Sequence, residues 1–446
     1  MVAEYLYRTK FDDLDTKVIE KAKALCLSTL GMAVAGSRIH AGQILANYAR
    51  PSNANPESGV LGAGFRTSVE LAALVNATAA HSTELEDDSW PESMYTCHII
   101  PSVFALAEKL GSSGKSILEG FILGYEVQAR PGMIVSDGGA SARGNLTAPH
   151  LGTIGVASGA SKMLGLGVQE TKMAISLAVS QASGSTRQMG TGAHVYEAGI
   201  AGRNGICAAT LAKLGLTGDP TILEGAKGYF DALAGRPDLE FRLGTGSDLR
   251  VMEVGFKKYP ACYLMQRIID GVIELITKHN IAAEDVESVV VEVNPTFPEI
   301  IKFPEPRDGD ESRFSLTHCV AAALVREPVS MKICSEAGIQ NPKIREHWPK
   351  TSVIVNTKWK PEIMGESNPI TIRTRSGAEH KKVCIMSHGD PGDPLSNEEV
   401  KQKYMGCVEG IIDPDKAERA AELVFGLEEL TDVSELMGLL TFPSAH

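Results

Sequence analysis

From Asp15 to about Leu214 the chain is built of runs in which Ala, Gly, Ser and Leu recur with few charges on any face, and this leaves little choice but close-packed helices. Segments such as TIGVASGASKMLGLG and SLAVSQASGST have no obvious solvent side, so they are expected in the centre of a bundle rather than on its surface. The apolar pattern predicts helices over 18–36, 69–83, 100–110 and 151–164. After KKYPACYLMQRIIDGVIELI the character changes. Residues 286–293 read VESVVVEV, a β-branched strand pattern, 352–356 form a second candidate strand, and the runs flanking Ser376-Gly377 have the form of a tight hairpin. Ser396 and Glu399, with Pro394 just outside, then mark the start of another helix by the spacing of a capping box.

These patterns give a mainly α fold, a large all-helical domain over 1–264 and 395–446 with a smaller α+β domain over 265–394. A length of 446 residues fits such a division. The net charge of −12, without a Lys/Arg-rich block, argues against nucleic acid and anionic membrane as partners. The eight cysteines are scattered singly, as suits a reducing compartment, and neither a signal peptide nor an apolar membrane span is visible; a cytoplasmic location is expected. The Gly-rich segment DGGASARG at 137–144 lacks the Lys-Ser/Thr ending of a P-loop and reads as a surface or site-lining loop.

The densest polar constellation is HSTELEDDSW. His81, Glu84 and Asp88 recur there at helical spacing after an apolar helix, which predicts one shared face. Glu84, Glu86, Asp87 and Asp88 would repel one another, and a buried member kept protonated can serve as a general acid; a solvated helix end is the plain alternative. Cys97 and His98 precede the next apolar helix, His150 stands at a similar helix start, and His194 lies in a Gly-rich approach to a helix that also carries Glu197 and Arg203. Helix N-termini attract anions, although a histidine at such a place often only caps or packs. Lys257 and Lys258 stand before Tyr-Pro at the expected domain border, either lining a cleft or simply exposed. No HExxH, cysteine pair or EF-loop spacing appears, so no metal and no cofactor are expected.

Taken in order, HSTELEDDSW with PSVFALAEKLG, FILGYEVQAR, LGTIGVASGASKMLGLG, AGIAGRNGICAATLAKLGLTGDPTILEG, KKYPACY and FSLTHCVAAALV resemble the MmgE/PrpD family over nearly the whole chain. The resemblance implies a homodimer of two-domain subunits, with a helical domain, a smaller lid and a site in the cleft. It also implies a cofactor-independent enzyme acting on a small polycarboxylate by moving a proton beside a carboxylate. The family includes 2-methylcitrate dehydratase, cis-aconitate decarboxylase and iminodisuccinate epimerase. Glu84, Asp87, Asp88, His98, His150 and His194 are the implied catalytic residues, and Lys257, Lys258 and Arg203 the implied substrate-binding ones.

This sequence departs from the family pattern at several of these places. Met94 and Leu146 stand where histidines are usual, and His98 and His150 each follow four positions later, about one turn if the segments are helical. A family lysine is replaced by His194, while Lys257 matches a lysine of the border motif. Dehydration of a hydroxy polycarboxylate is the expected reaction, with epimerisation or decarboxylation as alternatives and a non-catalytic binding protein as the rival class.

Overall fold

The computed structural model describes residues 1–90, 93–135, 139–361 and 364–443. The fold is mainly helical, and the chain divides into two compact units. The larger comprises Met1–Gln188, Gly192–Gly255 and Ser396–His446; the smaller comprises Met189–Thr191 and Phe256–Leu395.

In the larger unit the principal helices are α1 (Thr16–Gly36), α2 (Val69–Ser82), α3 (Ile100–Leu110), α4 (Gly114–Val135), α5 (Thr147–Met163), α6 (Val168–Val179) and α7 (Gly192–Lys213). Asp15 caps α1 by accepting from the Lys17 N–H, and Gly111, at φ 59°, ends α3 in the left-handed conformation that glycine adopts at least cost. Helices α1, α2 and α5 are buried along most of their length, as their runs of small and apolar residues require, with the charges of α1 gathered in its first two turns. The segment SLAVSQASGST differs from expectation: α6 is buried on one side only, and the chain leaves the helix after Val179. Ser185 instead bridges to Asn145. Of the Gly-rich segment 137–144, residues 137 and 138 lie outside the described residues, and Gly139–Ala142 form a single helical turn.

Two small ribbons accompany the bundle. The first is a hairpin of Ser58–Val60 and Phe65–Thr67. The second joins β1 (Asp88–Ser89), β2 (Met94–Tyr95) and β3 (Val254–Gly255), all antiparallel, with Asp88 opposite both Tyr95 and Gly255. Tyr125, fully buried on α4, fixes this ribbon: its hydroxyl donates to the Met94 carbonyl at 2.8 Å and meets Ser89 Oγ at 2.7 Å.

The smaller unit sets helix α8 (Tyr263–Lys278) against a four-stranded sheet, with α9 (Leu316–Leu324) beside α8. The strands are β4 (Val286–Val293), β5 (Thr351–Val355), β6 (Asn368–Thr374) and β7 (Glu379–Cys384), in the order β5-β4-β6-β7. Only the β4–β5 pair is parallel. β4 buries Val286, Val289, Val291 and Val293, and a bulge between Val286 and Ser288 explains the one break in alternation. Gly377 turns the β6–β7 hairpin at φ 87°. The chain then forms α10 (Asn397–Val408), opened by the reciprocal Ser396–Glu399 capping box and packed on α1. No helix among the described residues is long and apolar enough to cross a membrane.

Candidate active site

The end of α2 begins the site. Thr83 Oγ1 turns back to the Ala80 carbonyl and also accepts from the Leu85 N–H, which closes the helix at Ser82. Glu84 follows at φ 54°, a left-handed conformation that costs a non-glycine residue on the order of 1–3 kcal/mol. The helical spacing expected for His81, Glu84 and Asp88 therefore does not persist: Asp88 belongs to strand β1. The acids are also not a solvated helix end, because Glu84, Glu86, Asp87 and Asp88 are all buried.

His81 and His194 are brought together by the packing of α7 on α2. Gly199 permits it: a Cβ there would lie 2.4 Å from the Leu74 carbonyl oxygen. The two imidazoles meet edge to face with centroids 4.7 Å apart, and Tyr95 meets His81 in the same way at 4.9 Å. Cys97 Sγ lies 3.4 Å from His81 Nδ1. Burial pushes the Tyr95 hydroxyl well above its usual range, and the negative charges of Asp88, Glu86 and Glu84 add to the shift. His194 is already in the first turn of α7 rather than before it. Ligand atoms of His81, Glu84 and His194 lie within 4.8 Å of one another, a grouping that residue spacing alone does not announce.

His98 sits just before α3, fully buried, in space left by Gly152 of α5, where a Cβ would lie 2.5 Å from Nε2. Gln128 fixes its tautomer. The amide nitrogen of Gln128 donates to the Tyr95 carbonyl at 3.2 Å, so Oε1 faces His98 Nε2 at 2.9 Å and accepts its proton-bearing side. Nδ1 then carries the lone pair, with no partner among the described residues. Burial pushes the imidazole down to about 4, so His98 is neutral at pH 7.

The four-residue displacement of the histidines is not one helical turn in either place. Met94 is in a strand while His98 is in the following turn, and Leu146 is the residue before α5 while His150 is inside it. His150, half-buried, meets the Tyr229 hydroxyl at 3.1 Å through Nδ1; burial lowers its basicity, opposed by a hydrogen bond with the Gly184 backbone. The adjacent Ser185 N–H donates to Glu197 Oε1 at 3.0 Å. Glu197 stands three residues after His194 on α7, and burial pushes its carboxyl up to about 7. In the sequence Glu197 stands out only as a neighbour of His194; its partial burial, which decides its protonation, is a tertiary property.

Asp87 makes a 2.7 Å ion pair with Lys403 of α10, whose ammonium also donates to the Leu85 carbonyl at 2.9 Å. Burial pushes the Asp87 carboxyl up, and Lys403 opposes the shift. Arg203 comes nine residues after His194 on α7, two and a half turns on, so it faces the opposite side, where its Nε donates to Asn204 Oδ1 at 3.0 Å. Lys257 and Lys258 belong to the smaller unit: Lys257 is buried, while Lys258 is exposed and pairs with Asp270 at 3.2 Å.

Such a constellation can hold a proton-donating carboxyl and neutral imidazoles out of bulk water, which suits acid–base chemistry on an anion. Residues 1–242 match the MmgE/PrpD N-terminal domain and residues 259–429 the MmgE/PrpD C-terminal domain. Among curated proteins the chain is 27% identical to cis-aconitate decarboxylase of Homo sapiens over 99% of this chain and 94% of that protein. It is 26% identical to the Mus musculus cis-aconitate decarboxylase over 100% of this chain and 93% of that protein, and 24% identical to that of Aspergillus terreus over 97% and 93%. With both of its domains matched in order, the chain belongs to the MmgE/PrpD family.

Proposed function

We propose that this protein is a lyase that acts on a small polycarboxylate, breaking a bond at a carbon beside a carboxylate and managing the proton that this requires. The observation that carries the reading is the buried group of His81, Glu84, Tyr95, His98 and His194 in a chain whose relatives, aligned over almost their full lengths, are named cis-aconitate decarboxylases. Those names move decarboxylation ahead of dehydration.

In a decarboxylation the carbon–carbon bond to one carboxylate breaks, carbon dioxide leaves, and the electron pair stays on carbon until a proton arrives. Glu197 is the proposed donor, since its carboxyl still carries its proton near neutral pH. His98, neutral and held by Gln128, presents Nδ1 as a hydrogen-bond acceptor. His194, His150, Glu84 and Asp88 are proposed to position the substrate and shape the field around the carbanion-like state. Lys257 remains the proposed carboxylate-binding cation on the resemblance, with Lys258, which pairs with Asp270, and Arg203, which donates to Asn204, as further members of the same proposal. The reading includes a cytoplasmic homodimer. Dehydration stays as the second reading, because the same Glu197 proton suits a leaving hydroxide.

The test is to incubate the full-length protein with cis-aconitate and a panel of di- and tricarboxylates, following carbon dioxide and product by NMR. Release of carbon dioxide from a tricarboxylate is expected. Thermal stabilisation by these acids with turnover of none would favour a binding protein and overturn the proposal.

A further inference from the structure

His81, Glu84 and His194 come from three places: the last turn of α2, the left-handed residue after it, and the first turn of α7. They are 1%, 4% and 4% exposed, and one ligand atom from each lies within 4.8 Å of the other two. A shift of roughly an ångström would bring all three to about 2.0–2.2 Å from a common centre, the bond length of imidazole and carboxylate on a first-row ion. Three features hold the group in place. Gly199 fixes the approach of α7 to α2, Tyr95 abuts His81, and Cys97 Sγ contacts His81 Nδ1 at 3.4 Å. The last contact orients the ring as the outer hydrogen-bond partner of a metal-bound imidazole does.

We propose that His81, Glu84 and His194 form a binding site for a divalent first-row transition ion, with coordination positions left over for a substrate carboxylate. Two neutral imidazoles and one carboxylate leave a divalent ion with net positive charge, which suits an anionic ligand in the remaining positions. Hard ions such as calcium and magnesium prefer all-oxygen sets, so the two nitrogens select the transition class. An ion here would add Lewis-acid stabilisation of a carboxylate to the chemistry proposed above. The inference deepens that lyase reading, but the ligand set stands without it.

Cobalt(II) alone is the probe. Full-length protein is stripped with a chelator, dialysed and titrated with Co²⁺ by calorimetry and visible absorption, with no substrate present. One Co²⁺ per chain is expected, with a ligand-field band in the visible and a raised melting temperature. Glu84→Gln and His194→Gln, each shown to be folded by circular dichroism, should weaken binding by about 10-fold or more. Absence of one-to-one binding, or wild-type affinity in both folded variants, would overturn the site. Should Glu84→Gln not fold, His194→Gln decides alone. Turnover of a polycarboxylate without Co²⁺ binding removes the metal site and leaves the lyase, whereas binding without turnover supports the site and removes the lyase.

Discussion

Glu197 and His98 are shifted in opposite directions by the same cause. Burial disfavours whichever form is charged, so it lifts the carboxyl to about 7 and lowers the imidazole to about 4. At pH 7 the first can give a proton while the second is already neutral. A raised carboxyl keeps its proton below pH 7 and loses it above, so a rate that depends on Glu197 as donor should be level on the acid side and fall as pH rises through about 7. Glu197→Gln should lower kcat by about 100-fold or more and abolish that alkaline limb. A variant that keeps the limb would show that another group titrates there. The resemblance marks His98 as a site residue and the sequence shows Glu197 only beside His194; which of them is protonated depends on what packs around them.

At the scale of elements, the acidic segment after α2 is tied to α10 near the far end of the chain through Asp87 and Lys403. Lys403 is 8% exposed, so deleting Asp87 removes the carboxylate that balances an ammonium held in the interior. Asp87→Ala should therefore destabilise the protein by about 3–5 kcal/mol in urea unfolding. A loss within about 0.5 kcal/mol would show that the pair does not hold α10 in place. The sequence showed elements well where a local pattern was the physical cause: the valine alternation of β4, the Ser376-Gly377 turn of the β6–β7 hairpin, and the Ser396–Glu399 capping box. It misread HSTELEDD, because three-and-four spacing looks helical whether or not the helix continues. There Thr83 closes α2 and Glu84 turns left-handed, and neither event leaves a periodic mark.

For the whole molecule, the resemblance was legible because the family's segments keep their order along the chain, and both family domains are matched. The site was legible only in part. In the sequence His81 reads as a member of a helical face, but its contact with His194 arises from the docking of α7 on α2, which depends on Gly199 and is invisible to residue spacing. The same docking gives the helical unit the buried group on which the proposed lyase reading rests. The most direct measurement is the reaction of the full-length protein with cis-aconitate in deuterated water, followed by NMR and mass spectrometry. A decarboxylating lyase should release carbon dioxide and place one solvent deuteron on the carbon of the product that receives the proton. Recovery of a tricarboxylate with every carbon retained, whether unchanged, isomerised about its double bond or hydrated, would contradict it.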